Sequence, residues 1–252
     1  MKHRLIIIFV IKIMIFYPTF AQSLDSAKVA DIQTLISLFA NRDIDKISNI
    51  VTYPLQRQYP IPPITNREEF RKRFNQVFDK EIINIISQSK IEQWEIVGYR
   101  GIMLNNGILW IDEDGNIIAL NYQSDFEKQQ LKSIIEKDKA NLYLSLKSFY
   151  LPIHKIETKN YILRIDRLYN NTYRYASWKK GKRESEKPDL ILYNGEIDIQ
   201  GSGGNHIFTF IEGKYKYIIY RNLVGTSDTP EINLIVKKNK RIILNENGYL
   251  LR

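Results

Sequence analysis

Residues 189–221 read Asp189-LILYNGEIDIQGSGGNHIFTFIEGKYKYIIY-Arg221, and this stretch decides the fold class of the second half of the chain. Short runs of isoleucine, phenylalanine and tyrosine are cut by Asn194–Gly195, by Gly201–Ser202–Gly203–Gly204 and by Glu212–Gly213. Apolar runs of this length bounded by turn residues read as strands. In Lys214–Tyr215–Lys216–Tyr217 the period of two sets both tyrosines on one face and both lysines on the other.

Working outward, the same signature extends over the whole of residues 142–252. Strands are expected at about 147–156, 160–168, 172–178, 189–193, 195–200, 206–211, 214–221, 231–237 and 240–244. A series of short strands with turns at such spacing implies an all-β barrel or sandwich. Before it, Ser124 and Glu127 form a capping-box pattern ahead of Phe126, Leu131, Ile134 and Ile135, so residues 124–141 read as a connecting helix.

The segment 22–123 has a different texture. Val29, Ile32, Leu35, Ile36 and Phe39 recur at helical spacing, and Ile44, Ile47 and Ile50 suggest a short second helix. Tyr53–Pro54 opens an extended stretch through Pro60, Pro62 and Pro63, where a long helix cannot form. Asn66 and Glu69 cap a helix bearing Phe70, Phe74, Val77 and Phe78. A meander of short strands follows, turning at Asn105–Asn106–Gly107 and at Asp114–Gly115. This order of elements, with the phrases Tyr53–Pro54 and Gly98–Tyr99–Arg100–Gly101, resembles the NTF2-like family. The resemblance implies an α+β domain in which helices lie against a strongly curved antiparallel sheet and close a pocket. The β-rich half resembles small secreted inhibitor barrels, without their cysteines.

Residues 1–21 have the layout of a secretory signal. Lys2 and Arg4 precede a short apolar run, and Thr19–Phe20–Ala21 ends in a small-x-small site. A periplasmic or secreted protein is therefore expected, with no stable insertion in a membrane once the signal is removed. The chain carries +9, and the three cations and no acid of the leader leave +6 for the rest. That modest charge argues against nucleic acid as a partner. There is no cysteine, so thiol catalysis, thiolate metal sites and a lipidated cysteine are excluded.

No catalytic set, metal site or cofactor emerges. His154 and His206 are the only histidines beyond the leader, and Gln200 stands where a nucleophile elbow before Ser202 requires glycine. Asp112–Glu113–Asp114–Gly115–Asn116 has neither the glycine nor the final glutamate of a calcium loop at the required places, and reads as a hairpin turn. If the NTF2-like half holds a pocket, its lining candidates are Trp94, Glu95, Tyr99, Arg100 and Trp110, with Asn121 near them. Glu95 is the nearest candidate for a general base, because strand alternation puts it on the same face as Tyr99. In the β half, Tyr173, Tyr175 and Trp178 are candidates for a solvent-facing aromatic row. The functional expectation is a non-catalytic binding protein for a protein, glycan or small molecule. The alternative is an enzyme or carrier using the N-terminal pocket.

Overall fold

The computed structural model describes residues 24–251, so the leader read at residues 1–21 lies outside the described residues. Its helices are α1 (Ser26–Ala40), α2 (Ile44–Asn49), α3 (Arg67–Val77), α4 (Lys80–Ser87) and α5 (Asp125–Ala140). Strands β1 (Trp94–Ile96), β2 (Ile102–Leu104), β3 (Leu109–Ile111) and β4 (Ile117–Leu120) make an antiparallel sheet in that order. Eight further strands form a closed antiparallel barrel: β5 (Leu151–Thr158), β6 (Tyr161–Arg167), β7 (Tyr173–Lys179), β8 (Leu190–Gln200), β9 (Asn205–Glu212), β10 (Tyr215–Arg221), β11 (Ile232–Lys238) and β12 (Arg241–Leu250). The chain is thus mixed α and β, and of the two all-β arrangements expected it adopts the barrel.

Side-chain caps start the helices of the N-terminal half. Asn66 Oδ1 accepts from the Glu69 amide at 2.9 Å, and Asp79 Oδ1 from Glu81 and Ile82 at 3.0 and 3.2 Å. Such caps are worth about 1 kcal/mol each. The helices then bury one continuous apolar interior. Phe39, Phe70, Phe74 and Phe78 pack ring to ring, Phe74 and Phe78 stacked with centroids 5.1 Å apart. Ile82, Ile83 and Ile86 of α4 meet Trp94, Ile102, Leu104, Leu109 and Ile111 of the sheet in the same cluster.

The barrel is an up-and-down meander in which each strand pairs with the next and β12 closes on β5 through Gly248↔Thr158, Tyr249↔Glu157 and Leu250↔Ile156. Apolar side chains such as Leu163, Ile165, Phe208, Phe210, Ile219 and Leu234 form the interior cluster. Thr209, Lys216 and the hydrogen-bonded Asn233, Asn245 and Asn247 occupy alternate, outer positions.

Asn194–Gly195, expected as a turn between two strands, lies inside one. Asn194 takes a left-handed φ of 56°, and the β7–β8 register shifts between Tyr173↔Gly195 and Tyr175↔Leu192. It is a β-bulge, which absorbs one residue without ending the strand. A Cβ on Gly195 would meet Phe210 Cε1 at 2.1 Å, so the glycine leaves room for that buried ring.

Helix α5 joins the two halves by charge as well as by chain. At its start Ser124 Oγ accepts from the Glu127 amide at 3.1 Å. Glu127 does not complete a capping box: its buried carboxylate takes Arg57 from the proline-rich loop, at 2.8 and 2.5 Å. At its end Asp138 receives Arg164 of β6 at 2.6 Å and Lys155 of β5 at 2.7 Å. Arg164 also pairs with Asp166 at 2.7 Å, Asp166 with Arg174 at 2.7 Å, and the Arg164 guanidinium lies 4.7 Å from the Phe149 ring. The phenol of Tyr59 enters the field of this cluster from the N-terminal half; its pKa is raised by burial, with Arg164, Asp138, Glu184 and Asp166 acting on it.

Candidate functional site

Of the five residues expected around an N-terminal pocket, Arg100 and Trp110 lie together, while Trp94 sits in the core and Glu95 and Tyr99 are at the surface. Trp94 is buried in the core and donates from Nε1 to Ser89 Oγ at 3.1 Å. Trp110 donates to the Gly107 carbonyl at 3.0 Å, and the Arg100 guanidinium lies 5.6 Å from its ring. Asn121 donates to the same carbonyl at 2.7 Å. Glu95 is exposed, and Tyr99 is 82% exposed. Strand alternation cannot carry Glu95 to the Tyr99 face, because β1 ends at Ile96 and Gly98, with φ of +53°, begins a turn. The Tyr99 hydroxyl instead hydrogen-bonds the Ser202 hydroxyl across the two halves.

Nor do Tyr173, Tyr175 and Trp178 form a solvent-facing row. Trp178 is fully buried on the outer side of β7, where its indole donates to the Glu186 carbonyl at 2.9 Å. Tyr173 and Tyr175 point the other way, into the barrel, on Phe208 and Phe210 at centroid distances of 5.0 and 5.6 Å. The reason is the cover that residues 142–149 and α5 place over β6 and β7, which leaves no bare outer face there.

The barrel interior has two chemically different ends. One end, reached by the β8–β9 and β10–β11 connections, holds His154 and His206 with their Nε2 atoms 3.1 Å apart. Ring centroids are 5.4 Å apart with planes inclined 14°, so the imidazoles meet head to head. His206 Nδ1 lies 2.8 Å from the Gly204 carbonyl, which only accepts, so Nδ1 carries the proton. That tautomer leaves His206 Nε2 as the acceptor of the hydrogen bond from His154. Burial above all, with the neighbouring His206 and Arg221 acting in the same direction, pulls the His154 pKa from 6.5 down to about 3. Ser202, the serine weighed as a nucleophile, is engaged by Tyr99.

The opposite end carries a cavity of about 380 Å³. Tyr161, Tyr175 and Tyr217 supply aromatic walls, and Leu190, Leu234, Val236 and Leu244 the aliphatic ones, with Ser177, Lys179 and Asp189 toward the mouth. The Tyr175 and Tyr217 rings lie 5.8 Å apart at 40°. Burial raises the pKa of both phenols, so they stay neutral donors. Cavities of a few hundred Å³, mainly apolar with a few polar groups, are where proteins hold small molecules, and barrel mouths are a recurrent place for them. Glu246, a buried carboxylate of this end, is committed to structure. Burial pushes its pKa up, but hydrogen bonds from Thr158 and Asn160 outweigh that and hold it low. Asn160 reaches it at 3.2 Å from its amide and 2.5 Å from Nδ2.

Sequence reasoning missed Tyr161, Leu234, Val236 and Leu244 as lining residues. The signal for Tyr217 was present in its alternation with lysine, but which face closes inward depends on barrel closure between residues about 90 apart. Comparison with known protein families, with curated proteins and with solved structures finds no match.

Proposed function

We propose that this chain is a non-catalytic binding protein whose ligand is a small, mainly apolar molecule held in the tyrosine-lined end of the barrel. The observation that carries the reading is the 380 Å³ cavity between Tyr161, Tyr175, Tyr217 and the aliphatic side chains of β8, β11 and β12. The Tyr175 and Tyr217 phenols are kept neutral by burial and the Asp189 carboxylate is paired with Lys182, which suits retention of a ligand better than its chemical conversion. The leader-like residues 1–21 support a place in the periplasm or outside the cell. For the N-terminal half we propose an NTF2-like domain, on the order of its helices and its β1-β2-β3-β4 sheet. Its interior is packed with aromatic and aliphatic side chains, so we assign it the role of a partner domain rather than a second ligand site.

Titration of the purified protein with the uncharged fluorophore N-phenyl-1-naphthylamine tests this. A saturable signal is expected, weakened about ten-fold or more in Val236→Trp, which fills the cavity, and unchanged in Tyr99→Ala. Equal binding by the Val236→Trp variant, with a native circular dichroism spectrum, would refute the site.

A further inference from the structure

The two ends of the barrel differ in charge as well as in shape. At the cavity end the connections are residues 159–160, 180–189, 213–214 and 239–240. They hold seven lysines and arginines (Lys159, Lys180, Lys182, Arg183, Lys187, Lys214 and Lys240) against three acids. The connections at the histidine end, residues 168–172, 201–204 and 222–231, hold no cation and two acids. The acids of these connections are already engaged, while Glu212, which ends β9, is exposed and acts on the Tyr217 phenol. Asp189, the one carboxylate lining the cavity, pairs with Lys182; Glu186 faces Arg183 at 3.8 Å; Glu184 turns to Lys155 at 2.7 Å. Lys179, Lys240 and Arg241, by contrast, are exposed and have no ion pair among the described residues. Lys179 lines the cavity itself, and Lys240 and Arg241 lead into β12, whose Ile243 and Leu244 line it.

From this juxtaposition of an apolar chamber, Lys179 on its wall and a surplus of cations in the connections at that end of the barrel, we infer that the ligand is an amphipathic anion. Its apolar body lies among the tyrosines and Leu234, Val236 and Leu244, and its carboxylate or phosphate head stays at the rim beside Lys179, Lys240 and Arg241. The inference rests on the barrel cavity being the binding site, as proposed above. A neutral ligand would gain nothing from the rim, and a cationic one would be repelled by it. The rim is wet, so its contribution to affinity is modest and falls with salt.

The experiment is calorimetric titration of the purified protein with dodecanoate, dodecanol and dodecyltrimethylammonium, each below its micelle concentration. Dodecanoate is expected to bind about ten-fold more tightly than dodecanol at low ionic strength, a preference that fades toward ~0.5 M salt as the Debye length shrinks below ~5 Å. In the combined Lys179→Gln, Lys240→Gln, Arg241→Gln variant the ratio of dodecanoate to dodecanol affinity should fall to about one. Equal affinities for dodecanoate and dodecanol would overturn the anion assignment and leave the cavity standing; binding of none of the three would overturn both. Phosphatidylglycerol vesicles serve as a further arm. Capture by them without binding of monomeric dodecanoate would assign the basic rim to a membrane surface and overturn a soluble ligand.

Discussion

Acidification should destabilise the barrel through His154, and the size of the effect follows from its surroundings. In the folded chain, burial and the neighbouring His206 and Arg221 hold its pKa at about 3, against 6.5 for an unperturbed imidazole. The sign is fixed by linkage. Between pH 3 and 6.5 the unfolded chain binds a proton that the folded chain refuses, so stability is complete above about pH 7 and is lost as pH falls. One such site gives a slope of at most ~1.4 kcal/mol per pH unit. Between pH 7.5 and pH 5 the loss amounts to about 2 kcal/mol. With a urea m-value of ~2 kcal/mol/M, the midpoint falls by about 1 M. The assay is urea unfolding followed by circular dichroism across that pH range, on wild type and on His154→Gln. The glutamine amide still donates to His206 Nε2 but cannot take a proton, so the variant should lose most of the pH slope. An unchanged slope in His154→Gln, or a wild type that gains stability on acidification, would refute the reasoning.

Three other outcomes follow from contacts described above. Gly195→Ala places a methyl 2.1 Å from the buried Phe210 ring and should cost about 1–3 kcal/mol in urea unfolding, where an unaffected midpoint would contradict the packing. Arg164→Met strips Asp138 and Asp166 of a partner in a closed space and should cost ~3–5 kcal/mol, read as a fall in Tm of many degrees. Glu127→Gln weakens the hold on Arg57, whose buried guanidinium also donates to the Leu120 and Tyr122 carbonyls at 2.8 and 2.6 Å. Limited proteolysis should then cut between residues 120 and 125 well before it cuts wild type; equal resistance would show that the ion pair does not secure α5.

Much of the architecture was legible because it is written in short-range patterns. The period of the α1 and α3 apolar residues, the caps at Asn66 and Ser124 and the turn glycines of the barrel all act within a few residues of themselves. Asn194–Gly195 misled for a physical reason: a left-handed asparagine before glycine serves a turn and a bulge equally well, and only the facing strand and the Phe210 ring decide. The candidate site was less legible. Tyr175 was recognised as notable but placed on the surface, since alternation assigns faces without saying which face α5 will cover. The buried Arg164–Asp166–Arg174 cluster lies on the opposite face of those strands, where its charges read as solvated until a helix is laid over them. Pairing of His154 with His206 depends on the barrel closing, which no local pattern encodes.

The central claim is that the tyrosine-lined end of the barrel, and no other part of the chain, receives the ligand. Its most direct test is NMR on protein carrying labelled tyrosine rings, with N-phenyl-1-naphthylamine bound. Intermolecular NOEs to the rings of Tyr161, Tyr175 and Tyr217, and none to Tyr99, are the result the account predicts. NOEs to Tyr99 or to other exposed tyrosines, with those three rings silent, would contradict it.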